Sequence, residues 1–587
     1  MEQDNFMKKI FAVLLAIMLA AGSVCAQSDE PASYEITERA YTFYNGTITN
    51  VLTEPFSLYF MNGADDLPYV ELESWMELMI FLNHEWLEDP NYDLMFSAEG
   101  TDAAYVRENE YHMQFDFKEK TIMFDDYNAF VHSSSEGSLL DLLSASGFTE
   151  AGESELFQRN MNYSYDRYGD EMILYLADYH INMIMQDGKY YLPLQTMSDL
   201  MISPVFRVAL LFNGDCLMLV NREIFGSVRK GLTELGELYY KANGNGLSRE
   251  LAEFGYYELC FVLDNLYGLK EPHEIKSFDQ FFWQMGFDEE FKKASAEEAD
   301  TLLYKLIDFY LDDLHSDFIA YSYLTGARQV DWTTGPAARK MDEAVAMYGN
   351  ARAAADDFYK TEDNPFVYEE VGNTAFLIFD SFLSHSASVY YNAFQNGEKL
   401  PLDTIGLVIY AHNNIYRNDS PIENVVIDLS NNTGGDVDAA IFLMAWILGD
   451  APFSVKDTFT GALSTASYRA DVNLDRNFNS GDVLDDKNVY VLVSPVSFSC
   501  GNLVPAAFKA SDKVTVLGRT SGGGSCIVQP LSTAWGTLFQ ISGAQRMSFL
   551  KNGTFYDIDA GVAPDFTLVR PEKYYDHKML VEYINGL

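Results

Sequence analysis

A serine at a predicted strand-to-helix junction is the first group in this sequence that could act as a nucleophile. Residues 489–511 read VYVLVSPVSFSCGNLVPAAFKAS, in which a β-branched run leads to SFSCG and then to a helical pattern. Amide groups at a helix N-terminus favour negative charge, so Ser499 stands where a developing oxyanion would be stabilised. A helix N-cap serine is the ordinary explanation of the same pattern, and the junction alone does not decide between the two.

Two glycine-rich loops follow other predicted strands. Residues 425–436 read VVIDLSNNTGGD, and residues 514–531 read VTVLGRTSGGGSCIVQPL. Paired glycines let the backbone turn sharply and expose its N–H groups, which makes Gly434, Gly435 and the amide of Cys500 candidate donors to an oxyanion. The second loop lacks the Gly-Lys-Ser/Thr ending of a phosphate-binding loop, and its glycines would let the backbone approach a bound peptide.

A serine hydroxyl becomes a good nucleophile only when a neighbouring base takes its proton, and neutral imidazole does so near neutral pH. The chain has nine histidines. His315 lies in LDDLHSDF, residues 311–318, at the end of a predicted helix. His385 and His412 are rivals, because they lie nearer to the predicted sheet in sequence.

Together these segments resemble the C-terminal processing (tail-specific) protease family. The order and spacing of the strand ending in Gly-Gly, the serine and the later glycine loop are similar to the family's, as is DAGVAPDFTLV at residues 559–569. The resemblance spans about residues 230–571. It implies a ClpP/crotonase-like fold, a peptide or protein substrate, Ser499 as nucleophile, and an oxyanion site at Gly434, Gly435 and Cys500.

The family has two catalytic styles. One uses a lysine in the glycine-rich loop, but this loop has no lysine and Gly523 stands at the matching position. The other, seen in tricorn protease, takes a histidine from the preceding helical region, and LDDLHSDF looks like that segment. The resemblance therefore implies His315 as general base, with a ring nitrogen about 2.6–3.2 Å from the Ser499 hydroxyl, or somewhat farther without substrate.

The sequence departs from the family pattern at the positions that orient the histidine. In tricorn-like members an acidic residue near the closing segment acts through a serine beside the histidine, but the matching positions are Ile558 and Leu314. The resemblance favours Asp559 as orienting residue, with Ser316 and Asp317 as alternatives.

The elements that must position these groups fall into three regions. Residues 366–587 alternate buried strand patterns with helices, which predicts an α/β protease core with a largely parallel sheet flanked by helices. Residues 226–345 have helical spacing and form a predicted helical subdomain carrying His315. Residues 27–225 are a predicted α+β region with two weak strand-helix repeats, at 69–79 and 191–201, whose role is open.

The composition narrows the class of partner. The chain has 587 residues and a formal net charge of −48, which repels nucleic-acid phosphates and anionic membranes. After the first 26 residues, four cysteines remain in a long chain, too few for a disulfide scaffold. They are Cys216, Cys260, Cys500 and Cys526, and the last two are either bridged or free thiols. Oligomeric state, substrate and cleavage preference stay open.

Residues 471–482, DVNLDRNFNSGD, place oxygen side chains at loop positions 1, 3, 5, 7, 9 and 12, as in EF-hand or dockerin calcium loops. Arg476 occupies the sixth position, where such loops use glycine. The alternatives are a structural calcium site and a solvated polar loop. The sequence predicts no required cofactor and no catalytic metal.

The predicted activity is hydrolysis of peptide bonds through an acyl-enzyme on Ser499. The retinoid carrier of the interphotoreceptor matrix shares the family's fold, so an inactive ligand carrier is one alternative. A cell-surface binding protein with a degenerate protease domain is the other. Reaction of Ser499 distinguishes these possibilities.

The N-terminus has the pattern of a secretory signal. Lys8 and Lys9 precede an apolar run at residues 10–21, which is shorter than the roughly 20 residues of a membrane span and ends in small residues and Val-Cys-Ala. The sequence predicts residues 1–26 as the signal and a secreted protein. Lipoprotein anchoring through Cys25 is the alternative.

We expect the exported protein to begin at Gln27, because signal cleavage follows a small-x-Ala motif such as the one ending at Ala26. N-terminal sequencing of exported material checks this. A mature chain that keeps Met1, or a lipid on Cys25, would contradict it.

Overall fold

The computed structural model describes most of the chain after the predicted signal. The described residues are 33–45, 51–52, 54–87, 89–131, 138–143, 154–221, 234–241, 246–326, 335–355 and 366–587. The predicted signal at residues 1–26, with Cys25, lies outside them. Within the described ranges, no helix has the length and apolar character needed to cross a membrane.

Short strands dominate the N-terminal region. They are β1 Ile36–Tyr44, β2 Phe56–Met61, β3 Tyr69–Glu71, β4 Leu94–Glu99, β5 Asp102–Arg107, β6 Tyr111–Asp116, β7 Thr121–Phe124, β8 Phe157–Arg159, β9 Tyr165–Arg167, β10 Met172–Tyr175, β11 Ile184–Gln186, β12 Lys189–Pro193, β13 Ala209–Phe212 and β14 Cys216–Val220. The helices are α1 Leu72–Trp86, α2 Tyr127–Val131, α3 Leu194–Met197 and α4 Ser203–Phe206.

Twelve of these strands, all but β8 and β9, form two sheets. One has the order β11-β12-β3-β2-β1-β14-β13, and the other is an antiparallel sheet of order β10-β7-β6-β5-β4. Both sequence repeats are a strand followed by helix, β3 with α1 and β12 with α3, and the two strands pair with each other. Helix α3 continues as a π turn at Ser198–Ile202, which leads into α4.

The middle region is helical, as the spacing of its apolar residues predicts. It contains α5 Glu234–Tyr240, α6 Arg249–Leu266, α7 Phe278–Met285, α8 Asp288–Phe291, α9 Ala296–Lys305, β15 Asp317–Ala320 and α10 Pro336–Ala354. Hydroxyl caps fix the helix starts: Ser248 accepts from the Leu251 N–H, and Ser295 with Glu298 forms a capping box.

The C-terminal region supplies the remaining elements. They are β16 Phe366–Val371, β17 Thr374–Phe379, α11 Ala387–Asn396, α12 Thr404–Ile415, β18 Asn424–Asp428, α13 Val437–Leu448, β19 Ala451–Asp457, β20 Leu463–Ala470, β21 Asn488–Val493, α14 Cys500–Ala510, β22 Val514–Gly518, β23 Cys526–Ser532, β24 Leu538–Ser548, β25 Leu550–Lys551, β26 Thr554–Phe555, β27 Phe566–Thr567, α15 Glu572–Tyr575 and α16 His577–Ile584.

A six-stranded sheet, ordered β16-β17-β18-β21-β22-β27, is the core of this region. All its pairs are parallel except β16 with β17. Successive residues of β17 enter opposite layers: Leu377 packs with α12, α13 and α14, whereas Phe376 packs with α10, α15 and α16. Because helices cover both faces, the strands are apolar throughout. The predicted α/β class is confirmed.

A further sheet joins the N-terminal, helical and C-terminal regions. It runs β15-β24-β19-β20-β8, with β23 also on β24 and β9 also on β20. Strands β8 and β9 come from the N-terminal region and β15 from the helical one, so backbone hydrogen bonds cross both predicted domain boundaries. The boundaries themselves stay predictions.

A buried pair of carboxylic acids lies between the N-terminal region and α6. Thr196 donates to Glu258 (2.8 Å), Gln195 donates to Asp199 (3.0 Å), and the same Gln195 amide reaches the Ser532 carbonyl (2.8 Å). Burial raises the pKa of Glu258 to about 8. Burial, and then the charge of Glu258, raise the pKa of Asp199 well above its usual range.

Glu258→Gln should stabilise the protein at pH 8 and have little effect near pH 4.5. An unfolded glutamate ionises near pH 4.3, so the folded state loses stability as pH rises from there toward 8, and glutamine removes that loss, on the order of a few kcal/mol. Thermal unfolding at both pH values measures it, with Glu253→Gln, exposed on the same helix, as control. Equal shifts at both pH values would contradict the prediction.

Candidate active site

The carboxyl ends of two neighbouring strands bring the predicted groups together. β18 ends at Asp428 and β21 at Val493, and the strands are parallel and paired. The Ser497 hydroxyl donates to the Leu429 carbonyl (2.7 Å) and the Phe498 N–H to the Asn432 carbonyl (3.1 Å). These bonds hold the serine loop against the loop that carries the glycine pair.

Ser499 has a backbone conformation that side chains rarely adopt. Its φ is 55° and its ψ −123°, it directly precedes α14, and its side chain makes no capping hydrogen bond. The ordinary N-cap explanation of this serine therefore does not apply. A strained residue at a strand-to-helix turn is typical of a nucleophile elbow, where the turn exposes the hydroxyl.

The glycine pair needs the absence of side chains. Gly434 and Gly435 have φ values of 106° and 132°. A Cβ at Gly434 would lie 2.7 Å from the Ser499 Cβ, and one at Gly435 would lie 2.1 Å from the Phe382 carbonyl oxygen. Glycine thus permits close contact between this turn and the serine.

The amide hydrogen bonds refine the predicted oxyanion site. The Gly434 N–H donates to the Asn432 side chain (2.9 Å), so this amide is already committed. In the described part of the chain, the Cys500 N–H has no acceptor, and the Gly435 N–H approaches only the Cys500 sulfur, whose raised pKa it partly opposes. Of the three predicted positions, two therefore have a backbone donor for an oxyanion, and Gly434 contributes its close approach to Ser499.

His315 does not end a helix, and that detail of the sequence interpretation is wrong. α9 ends at Lys305, a π turn covers Leu306–Tyr310, and Asp312 is left-handed, so His315 lies in an irregular stretch directly before β15. The Asp313 carboxylate accepts the His315 N–H (3.0 Å) and stabilises this turn.

The His315 ring is buried beside the serine loop. It lies against the Phe498 ring, with 4.5 Å between centroids, and a Cβ at Gly524 would lie 3.1 Å from its Cε1 atom. The neighbouring residue Gly523 accepts the Ser499 N–H (2.9 Å). Burial lowers the pKa of His315, while the charges of Asp313 and Asp559 oppose that shift. A lowered pKa keeps the imidazole neutral down to a lower pH, and a general base must be neutral to accept a proton.

The expected hydrogen bond between the His315 ring and the Ser499 hydroxyl is not formed here. Among the described residues the ring nitrogens have no hydrogen-bond partner, and the Ser499 hydroxyl has none. The ring is instead packed on Phe498. Side-chain rotation would have to precede proton transfer.

Asp559 lies near His315 but is bonded elsewhere. Its Oδ1 atom accepts the N–H and the hydroxyl of Ser525, both at 2.9 Å. The Ser316 hydroxyl donates to Asp313 (2.6 Å). Burial raises the pKa of Asp308, and the charge of Asp317 raises it further, so the Asp317 charge acts on the helical region. None of the three bonds to the His315 ring.

Asp313 is the group that the sequence interpretation missed. It accepts three hydrogen bonds around His315. Burial lowers the pKa of His315, and the negative charge of Asp313 is the largest effect that raises it. The signal was an acid two residues before the histidine, but one of 87 acidic residues does not stand out.

The rival histidines have other partners. His385 Nδ1 lies 2.5 Å from Asp403, whose carboxylate also accepts the Tyr390 hydroxyl (2.6 Å). His412 Nδ1 accepts the Trp446 indole N–H (3.1 Å) in the core beside α13. Neither contacts the serine loop.

The described cysteines are unbridged, and the polar loop is held by hydrogen bonds to its own backbone. All four described cysteines are buried free thiols, so Cys500 and Cys526 are not bridged. Asp482 accepts the backbone N–H groups of Val472, Asn473 and Asn479, and Arg476 lies over the Tyr391 ring.

No group of three or more His, Cys, Asp or Glu side chains fit to hold a metal occurs in the described ranges. Calcium at residues 471–482 stays a prediction.

A cavity of about 260 Å³ opens beside the serine loop. Its walls come from the helical region, from α10 and from the glycine-rich loop. Its lining includes Leu314, Met341, Phe498, Gly524 and Asp559. Because Phe498 and Gly524 also contact His315, the cavity adjoins the candidate base.

Comparison with known families places a peptidase pattern on this region. Residues 403–568 match the model of peptidase family S41. The match confirms the predicted family resemblance over that segment, which includes Ser499, the glycine pair and Asp559. The earlier part of the predicted stretch, with His315, lies outside it. No curated protein sequence matches the chain significantly.

Solved structures with partial likeness include processing proteases. The photosystem II D1 C-terminal processing protease has 18% identity over 36% of this chain and 49% of its own, at a TM-score of 0.26. A lipoprotein from Streptococcus agalactiae has 12% identity over 57% of this chain and 96% of its own, at a TM-score of 0.33. Tricorn protease has 15% identity over 28% of this chain and 15% of its own, at a TM-score of 0.19. The chain thus spans about half the length of the D1 protease, and this likeness assigns no residue.

Gly434→Ala should slow labelling of Ser499 by a fluorophosphonate about 10²-fold, because the added methyl would displace the serine. Gly461→Ala is the matched control: its φ is +75° and nothing lies within 4 Å of the new methyl. The positive φ should cost each variant about 1–2 kcal/mol of stability. Gly434→Ala should lose more because of the clash with Ser499, and only this variant should affect labelling. Equal labelling rates would show that the contact does not position Ser499.

Proposed function

We propose that this protein is a secreted serine endopeptidase that cleaves peptide bonds through an acyl-enzyme on Ser499, with His315 as general base. The S41 match over residues 403–568 supports the peptidase class. The observation that carries the proposal is the backbone at the serine: Ser499 is strained and uncapped, and the N–H groups of Gly435 and Cys500 beside it donate to no backbone oxygen in the described chain.

In the first step, the Ser499 hydroxyl attacks the scissile carbonyl carbon while His315 takes its proton. In this proposal the oxyanion then accepts from the Gly435 and Cys500 amides. Collapse of the intermediate breaks the C–N bond, and protonated His315 gives its proton to the leaving amine. Water repeats the sequence on the ester and releases the acid product.

One rotation is part of this proposal. The His315 ring is packed on Phe498 and must turn toward Ser499 before it can take the proton. Phe498 lines the cavity, and movement of its ring into that space would release the imidazole. Hydrogen bonds between catalytic groups are often loose without substrate and tighten when it binds.

The ligand-carrier and surface-binding alternatives are favoured by a different observation, the His315 ring that is unpaired among the described residues. An imidazole ring without a hydrogen-bond partner in the described chain has no fixed tautomer, whereas active triads fix theirs. A chain that had lost catalysis could retain the serine elbow and lack the pairing. Reaction of Ser499 decides between these functions.

Wild-type protein should label with a fluorophosphonate and cleave peptides, and Ser499→Ala should do neither. His315→Ala should lower both rates by about 10²–10⁴-fold, and in peptide cleavage the double variant should cost little more than Ser499→Ala alone. His385→Ala, which removes a histidine paired with the buried Asp403, should leave both rates unchanged.

The rate should fall as pH drops through the His315 pKa, and that limb should lie below pH 6.5, because burial lowers this pKa. Unlabelled wild-type protein would favour the carrier function. Labelling that is insensitive to His315→Ala would mean that a different group is the base.

A further inference from the structure

We propose that Asp313 positions His315 and stabilises its protonated form, the role that the family resemblance implies for an acid near residue 559. The inference rests on the proposed function, in which His315 carries a proton between the serine and the leaving amine. Asp313 would be a positioning residue, since it contacts the histidine backbone and not the reacting atoms.

The first argument is the set of contacts made by the carboxylate. Asp313 Oδ1 accepts the His315 N–H (3.0 Å) and the Ser542 hydroxyl (2.9 Å), and Oδ2 accepts the Ser316 hydroxyl (2.6 Å). All three partners donate, which is the set that an ionised carboxylate accepts. Since Ser542 belongs to β24, the carboxylate fixes the histidine segment to a strand of the core.

Two further bonds complete this attachment. The Gln540 side chain donates to the His315 carbonyl (2.8 Å), and the Ser542 N–H donates to the Ser316 hydroxyl (3.2 Å). The His315 backbone is thus held on both its polar groups while its ring has no hydrogen-bond partner among the described residues. A fixed backbone with a rotatable ring suits a base that must reach the serine and then the leaving amine.

The second argument is charge. His315 is 8% exposed, so a positive imidazolium would lose most of its hydration. A nearby carboxylate offsets that cost. Burial lowers the pKa of His315 and the Asp313 charge is the first that opposes it, followed by Asp559. Asp559 already accepts two bonds from Ser525 on Oδ1.

The other charged and titratable groups near this segment lie on every element around it. They are Asp312 beside the histidine, Tyr267 and His273 after α6, Lys340 on α10, Cys526 on β23, and Arg546 on β24. Arg546 is paired with Asp557 (2.6 Å). The Tyr267 hydroxyl and His273 Nδ1 lie 3.1 Å apart.

The proton balance follows from these positions. Attack moves one proton from the Ser499 hydroxyl to His315, and the new positive charge forms beside the Asp313 anion. Asp313 takes no proton, and the imidazolium later gives its proton to the leaving amine. The carboxylate therefore lowers the energy of a charged intermediate without entering the transfer.

Asp313→Asn tests the inference, because asparagine keeps the acceptor oxygen for the His315 N–H and removes the charge. The acidic limb of the labelling and cleavage profiles should move about one pH unit lower, and kcat should fall about tenfold. Asp312→Asn is the matched control, since this adjacent acid lines the same cavity, is exposed, and has a left-handed backbone that asparagine tolerates. It should change neither quantity.

Asp313→Glu separates charge from position and serves if the asparagine variant does not fold. It should lower kcat and keep the acidic limb of wild type, and an equal limb shift in this variant would overturn the inference. A lower rate at every pH without a shift in Asp313→Asn would mean a structural role and also overturn it. A larger limb shift in Asp559→Asn would assign the role to Asp559. Wild-type protein that does not label would refute the proposed function itself.

Discussion

The candidate site depends on two parallel strands that end side by side. β18 and β21 are in register from Asn424 to Asp428, so the loops that follow them meet. Bonds from the Ser497 hydroxyl and the Phe498 amide then hold the serine loop against the glycine loop. The strained turn at Ser499 is tolerable because its neighbours are fixed on both sides, and this strain is what separates it from an ordinary helix start.

Acidic groups are a second constraint, because the chain has a formal charge of −48 and still buries several carboxylates. The half-buried Asp313 accepts from two hydroxyls and an amide, whereas burial raises the pKa of Glu258. Where the charge is kept, it can act on a neighbour such as His315. Where it is suppressed, it costs stability as the pH rises.

The parts of the site that could be predicted are local in sequence. The apolar strands, the serine at its junction and the glycine pair each show in a run of about ten residues, and the parallel edge follows from them. The place of His315 could not be predicted in the same way. It depends on β15 pairing with β24, more than two hundred residues later, and on Ser542 of β24, whose backbone N–H and hydroxyl donate to Ser316 and Asp313. The commitment of the Gly434 amide to Asn432 is similarly a detail of three-dimensional contact.

The pairing of β15 with β24 also has a consequence for any shortened form of the chain. β24 is buried along all eleven of its residues, and β15 covers its first part, Leu538–Gln540. A fragment that begins after residue 345 would retain the serine and the glycine loops but uncover this apolar stretch as an open edge. Open edges of buried strands recruit strands from other molecules, so such a fragment would tend to aggregate, and solubility would require the segment that carries the base.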